Sequence, residues 1–274
     1  MIFEADRINI VVLAGGINRV SLYDGYSAGY KALTLLEGRP MIRFVLDALD
    51  NVPQAGRICI VGPDEVRKGI DDRSRYEYAP GGNSLKESIF SGLGHFSDSP
   101  IVLFIPADLP LIRPATVIAF LRLCERTETS YAAAMFWAMV PEKSFTGPFI
   151  RVTKGFNRFR DISVCHGNLF LITPSVLKND RITSRIDAVY DARKSSIKAA
   201  LEIGPAMGLS YLVGVHLFRV MTLNQTARSL SRHLGMGMIP VLLEYPEVAV
   251  DIDTSEDYAF ALEWIARQKA DSTA

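Results

Sequence analysis

Two acidic stretches have the residue types needed to hold a divalent cation. In IVLFIPADLPLIRP, residues 101–114, a strongly apolar run ends at Asp108, set between Pro106 and Pro110. An acid at the carboxyl end of a buried parallel strand lies where open α/β sheets bind ligands, although a turn aspartate capping the next helix has the same local appearance. In VAVDIDTSEDY, Asp251 and Asp253 are two residues apart, a spacing that puts both side chains on one face of extended chain. Acids just ahead of a helix are also favoured by its dipole alone. Magnesium is usually held by one or two carboxylates together with substrate phosphates, so the chemistry on offer is metal-assisted handling of a phosphate-bearing substrate.

Such a substrate also needs donors. VVLAGGINRV, residues 11–20, delivers Gly15 and Gly16 directly after an apolar run. Without side chains they let backbone N–H groups approach a phosphate. The stretch matches neither G-x-G-x-x-G nor G-x-x-x-x-G-K-[ST], and two glycines after a strand are more often a tight turn. Lys31 follows a polar loop rich in Gly, Ser and Tyr, where it is either a solvated lysine or a phosphate contact. In YAPGGNSLKESIFSGL, Gly81, Gly82 and Asn83 precede a helix; this is a common turn plus N-cap, or a set of free N–H groups at a helix start. Lys154, Arg158 and Arg160 precede a strand with Gly167 and Asn168, and Arg193 and Lys194 sit together on an expected helix. Most such charges are simply solvated; if an acceptor carries a phosphate, this is the basic set to meet it. His166 is as well explained by a structural role, and the remaining histidines and cysteines form no zinc set or nucleophile arrangement.

The elements that must position these residues follow from periodicity. INIVVLA, GRICIVG and PIVLFIPA read as strands buried on both faces. RPMIRFVLDALDNV puts Ile42, Val45, Leu46 and Leu49 on one helical face, SLKESIFSGLGHF does the same with Leu85, Ile89 and Leu93, and PATVIAFLRLCERT starts a helix at Pro114. The alternation predicts a mostly parallel α/β sheet. Beyond Pro148, FIRVTKG and GNLFLITP read as strands, residues 182–235 as mainly helical, IPVLLEYP as a strand, and TSEDYAFALEWIARQKA as a helix with Thr254 as N-cap and Asp257 as its capping-box acid.

Bulk properties exclude several classes. The 274 residues carry 30 basic and 30 acidic side chains, so net charge gives no support for a nucleic-acid or membrane partner. The longest apolar stretch, YAAAMFWAMV, is half a membrane span and stops at Pro141. Three widely spaced cysteines point to a reducing, cytoplasmic setting, and Glu4, Asp6 and Arg7 argue against a secretory leader.

The order L-A-G-G, loop, lysine, apolar strand, G-[KR]-P-[ML], helix resembles the nucleotide-diphospho-sugar transferase superfamily and, within it, the MobA-like nucleotidyltransferases. P-A-D-L-P and D-T-S-E-D, close to the family's V-D-T-P-E-D, extend the resemblance over about residues 8–262. It implies a Rossmann-like (GT-A-type) mostly parallel sheet flanked by helices, with a helical insertion near the C-terminus, all in one domain spanning 1–274 with an acceptor-side helical subdomain at about 182–235. It further implies Mg2+-dependent transfer of a nucleoside monophosphate from a nucleoside triphosphate to a small acceptor bearing a phosphate or hydroxyl, with release of pyrophosphate and no covalent enzyme intermediate.

The residues implied for the nucleotide are Leu13, Ala14, Gly15, Gly16 and Lys31, with Gly81, Gly82, Asn83 and Ser88 similar to the base-binding loop of isoprenoid-pathway cytidylyltransferases. Arg19 corresponds to the family's arginine, one position nearer the glycines and with a longer loop to Lys31. Asp108 and Asp253 are the implied metal ligands, with Asp251 an adjacent alternative. Gly167 and Asn168, in G-N-L-F-L, resemble the wall of the acceptor site, with Arg193 and Lys194 as candidate anion contacts. Two rivals are a glycosyltransferase of similar fold, since D-I-D looks like D-x-D, and a nucleotide-binding regulatory protein without catalysis, which the Arg19 spacing leaves open.

Overall fold

The computed structural model describes residues 7–26, 29–70, 75–127, 129–180, 182–184 and 221–273. The first half alternates strand and helix: β1 Ile8–Leu13, β2 Ile17–Asn18, β3 Gly29–Tyr30, β4 Leu35–Leu36, β5 Arg39–Pro40, α1 Met41–Asp50, β6 Ala55–Gly62, α2 Asp64–Lys68, β7 Glu77–Pro80, α3 Leu85–His95 and β8 Val102–Pro106. The second half comprises α4 Pro114–Glu125, β9 Ala134–Pro141, β10 Asn157–Arg158, β11 Ser163–Ile172, α5 Leu223–Leu234, β12 Gly237–Leu242 and α6 Ser255–Thr273.

The main sheet runs β12-β9-β11-β8-β1-β6-β7, with β10 pairing β11. β8, β1, β6 and β7 are mutually parallel, as are β12 and β9, while β11 runs antiparallel to both of its main neighbours. The central strands are sandwiched, which is why they are apolar on both faces. Alternate residues of β1 enter different cores: Ile10 and Val12 pack with Leu46, Leu49 and Phe120 on one side, and Val11 and Leu13 with Leu93 and Phe96 on the other. The result is a Rossmann-like, mostly parallel sheet flanked by helices, as the periodicity predicts. Of the stretch 182–235 expected to be mainly helical, residues 185–220 lie outside the described residues; α5 opens on a Thr222–Gln225 capping box and stops at Gly235, whose φ of 75° suits glycine. Among the described residues no helix is long and apolar enough to cross a membrane.

Local signals hold at several joints. Glu37 and Gly38, with φ of 48° and 78°, turn β4 into β5 just ahead of α1. Thr254 and Asp257 exchange hydrogen bonds at the start of α6, Thr254 N–H donating to Asp257 Oδ2 at 3.0 Å and Asp257 N–H to Thr254 Oγ1 at 3.2 Å. Cys59, Cys124 and Cys165 are buried free thiols, and burial pushes Cys59 up to about 12.

Two expectations fail. α3 does not bury a Leu85–Ile89–Leu93 stripe: Leu85 is 52% exposed, and the inward face carries Ser88, Gly92 and Leu93. Gly92 sits close against β1, where an added Cβ would lie 2.8 Å from a Val11 methyl, while Leu85, at the first turn, lines a cavity with Gly82, Asn83 and Ser88. FIRVTKG is not a strand. Gly147–Arg151 forms a single 3-10 turn with Pro148 at its start, which buries Phe149 against Trp264 at 4.8 Å and leaves Ile150 exposed.

Candidate active site

Loops leaving the carboxyl ends of β1, β7 and β8 surround a cavity of about 300 Å³. Leu13, Ala14, Gly15 and Gly16 form one wall, Gly82, Asn83 and Ser88 the opposite one, and Asp108 and Lys31 close the side between them. The sheet ladder continues into this rim, with Ala14 N–H donating to Val61 O and Ala107 N–H to Leu13 O. Gly15 and Gly16 are glycines without an internal reason. Neither has a positive φ, an added Cβ at Gly15 would meet nothing within 4 Å, and one at Gly16 would touch only the Lys31 stem.

The Gly82–Ser88 loop is held by its own side chains. Ser84 caps α3 by accepting from Glu87 N–H at 3.2 Å, while Glu87 Oε2 accepts from Asn83 N–H at 2.7 Å. Ser88 Oγ accepts from Gly82 N–H and donates to Ser84 O, both at 3.1 Å, so this buried hydroxyl fixes the loop's shape. Gly82 has no room for a side chain, since a Cβ would fall 2.1 Å from that of Glu87. Gly81 stands behind the wall, its N–H donating to Gly62 O at 3.1 Å.

Lys31 is aimed by backbone. β2 pairs with β3 through Ile17 and Tyr30, and Lys31 N–H donates to Gly16 O at 2.9 Å. Its ammonium then reaches Asp108 Oδ2 at 2.7 Å and also pairs with Asp253. Lys154, from the loop before β10, donates to Asp251 Oδ1 at 3.1 Å. Ligand oxygens of Asp108, Asp251 and Asp253 lie within 4.8 Å of one another, and Ile252 N–H donates to Asp108 O at 3.2 Å, joining the two segments.

Electrostatics follow from this crowding. Burial raises the Asp108 pKa; Lys31 opposes that rise, and the two neighbouring acids reinforce it. For Lys31, burial acts against the charge, but Asp108 and Asp253 outweigh it and hold the ammonium above the ordinary lysine range. For Asp253, burial is outweighed by Lys31 and the carboxyl is held low. Three clustered carboxylates demand positive charge, and an all-oxygen set of this kind could coordinate a hard divalent cation.

The remaining candidates are spread out. Arg19 is exposed and does not line the cavity. Gly167 and Asn168 lie where the β9–β11 register shifts; Gly167 packs close to Ala138 and Val248, and Asn168 Nδ2 donates to Val248 O at 3.2 Å. Arg193 and Lys194 lie outside the described residues. A second cavity of about 560 Å³ on the Asp253 side is lined by Arg151, Lys154, Thr254 and Phe260. Asn18 was not anticipated: it is buried at 4% exposure, its Oδ1 accepts from Val20 N–H, and its Nδ2 donates to Asp253 O at 3.4 Å. A polar residue in a glycine-rich loop gives no local sign of a partner 235 positions away.

No curated protein sequence matches the chain. Among solved structures, a hypothetical transferase from Thermus thermophilus is 26% identical with a TM-score of 0.75, over 92% of this chain and 99% of its own. A 4-diphosphocytidyl-2C-methyl-D-erythritol synthase from Anaerococcus prevotii, at 13% identity and TM-score 0.54 over 95% and 96% of the two chains, shares the fold. So does a nucleotidyl transferase from Methanothermobacter, at 16% identity and TM-score 0.54 over 96% and 100%. The model of the MobA-like NTP transferase domain matches residues 10–167, more than half of the chain and the part that carries the glycine turn, Lys31 and Asp108, and the protein belongs to that family.

Proposed function

We propose that the protein is a magnesium-dependent nucleotidyltransferase that moves a nucleoside monophosphate from a triphosphate to a small phosphate- or hydroxyl-bearing acceptor and releases pyrophosphate. Family membership carries the general reaction. The observation that carries the finer reading is the convergence of an unfilled glycine turn, Lys31 and Asp108 at one cavity, with carboxylate oxygens of Asp251 and Asp253 within 4.8 Å of that of Asp108.

In this reading Asp108, Asp253 and Asp251 hold Mg2+, which when bound offsets charge on phosphate oxygens. Gly15 and Gly16 present backbone N–H groups to the phosphates, and the space where a Cβ would stand is left for the ligand. Lys31, tied to Gly16 through its backbone, brings a full positive charge to the same place. The Gly81–Asn83 loop, shaped by Ser88, takes the base against Leu13 and Ala14. The acceptor enters from the Asp253 side, past Lys154, with Gly167 and Asn168 behind it and Arg193 and Lys194 as further anion contacts. The chain works as one domain, with about 182–235 on the acceptor side, and three buried free thiols support a reducing cytoplasm. No covalent enzyme intermediate is needed, because positioning and charge supply most of phosphoryl-transfer catalysis.

The test is a screen of the four nucleoside triphosphates with Mg2+, by thermal shift and then by pyrophosphate release with phosphorylated and hydroxylated acceptors. One triphosphate should raise the melting temperature by mass action and yield pyrophosphate. Consumption of a nucleotide sugar would support the glycosyltransferase instead, and binding without turnover the regulatory protein. Gly15→Ala separates fold from function at the turn. It should leave stability unchanged or raise it by up to about 1 kcal/mol, because the site tolerates a Cβ, while weakening triphosphate binding. Equal affinity in the two proteins would remove Gly15 from the phosphate site.

A further inference from the structure

Asp251 and Asp253 belong to no regular element; they lie on the strap between the 3-10 turn Pro246–Ala249 and α6. A loop of this kind does not hold two carboxylates at a fixed distance from a third unless something anchors it. Glu247, on that turn, is the only charged residue in the buried class among the described residues, at 1% exposure. Its Oε1 accepts from Arg113 Nε at 3.0 Å, Arg113 Nη2 at 2.8 Å and Thr116 Oγ1 at 2.6 Å. Arg113 is the N-cap residue of α4, five positions beyond Asp108 on the segment that carries it. The buried carboxylate therefore staples the strap bearing two of the acids to the segment bearing the other.

Stability alone does not account for this arrangement. Buried ion pairs can often be replaced by apolar residues of similar volume without loss of stability, because desolvating the charges offsets their attraction. What apolar contacts do not supply is a directional tie with three donors converging on one oxygen.

We propose that Glu247 is a positioning residue for the carboxylate cluster, acting through Arg113 and Thr116 to set the spacing between Asp108 and the Asp251–Asp253 pair. The proposal rests on the metal reading above. It assigns Glu247 no contact with substrate or metal.

The test uses Mn2+ alone as probe, titrated into the full-length protein without nucleotide and followed by electron paramagnetic resonance. The double variant Arg113→Met/Glu247→Met replaces the staple with apolar contact. It should melt at or near the parent's temperature yet bind Mn2+ about tenfold more weakly, the usual scale for groups that orient metal ligands. Glu247→Gln, which keeps an oxygen acceptor for the same donors, should stay near the parent. A double variant with the parent's Mn2+ affinity overturns the proposal. If the double variant does not fold, the triple variant Arg113→Met/Thr116→Val/Glu247→Met, which leaves neither a buried unpaired carboxylate nor an unmatched hydroxyl, replaces it with the same criteria. If the parent itself binds no Mn2+, the metal reading has failed, and a crystal structure of the variant decides the staple separately. A strap displaced relative to Asp108 upholds it, and an unmoved strap overturns it.

Discussion

Asp108→Asn is expected to give a folded protein, melting no lower than the parent, that releases pyrophosphate about a thousandfold more slowly or worse at saturating Mg2+. The rate effect follows from the charge stabilisation of several kcal/mol that a bound divalent cation contributes, at about 1.4 kcal/mol per tenfold. The stability effect follows from burial. The Asp108 carboxyl is held above its ordinary range, because desolvation outweighs the pull of Lys31. The folded state thus favours the protonated acid relative to the unfolded chain, and stability falls as pH rises from the unfolded value, about 3.9, through the folded one. The whole cost is present once pH lies above the folded value. Asparagine keeps the shape and removes the charge, so the variant's advantage in stability should shrink as pH falls from the folded value towards about 3.9 and be absent below it. Turnover near the parent's would remove Asp108 from the metal site, and a large drop in melting temperature would make it a structural residue. This is the usual opposition between stability and activity at a site built of unfavourable charge.

How much of this could be read from the chain depends on the distance over which each feature is decided. Asp108 at the end of β8, the turn at Gly15 and Gly16, and the Thr254–Asp257 box are all determined by neighbours a few residues apart. An apolar run ended by Pro or Gly, or a Thr three residues before an acid, has few alternative meanings. Leu85 reads as part of an apolar stripe on α3, and no pattern within the helix reports that it lines a cavity with Leu13, Gly15 and Asp108. The same limit hid the charge pairs. Lys154 was visible only as one of several basic residues, and its partner Asp251 lies 97 positions on. Glu247 reads as an ordinary acid in EYPEV until the sheet order brings it against α4, 134 positions from Arg113. Arg19 shows the reverse: a motif position inferred from spacing is exposed and off the cavity, because residues 19–21 after β2 point outward between the buried Asn18 and Leu22.

Lys31→Met is expected to lower kcat by about a hundredfold to a thousandfold, the scale measured for removing one donor aimed at developing charge, while changing triphosphate affinity much less. Methionine keeps the stem that passes Gly16 and removes only the ammonium, so the glycine turn and its backbone bond to residue 31 are preserved. The geometry adds a second signature. In the absence of substrate the ammonium neutralises Asp108 and Asp253, the same carboxylates that the proposal gives to the metal. Ammonium and divalent cation therefore compete for those oxygens until phosphates draw Lys31 away. The variant should bind Mn2+ without nucleotide at least as tightly as the parent, although it turns over far more slowly. Steady-state kinetics and a Mn2+ titration on one preparation check both effects. A change confined to KM would make Lys31 a ground-state binding residue, and a loss of Mn2+ affinity would show that the lysine organises the carboxylates instead of occupying them.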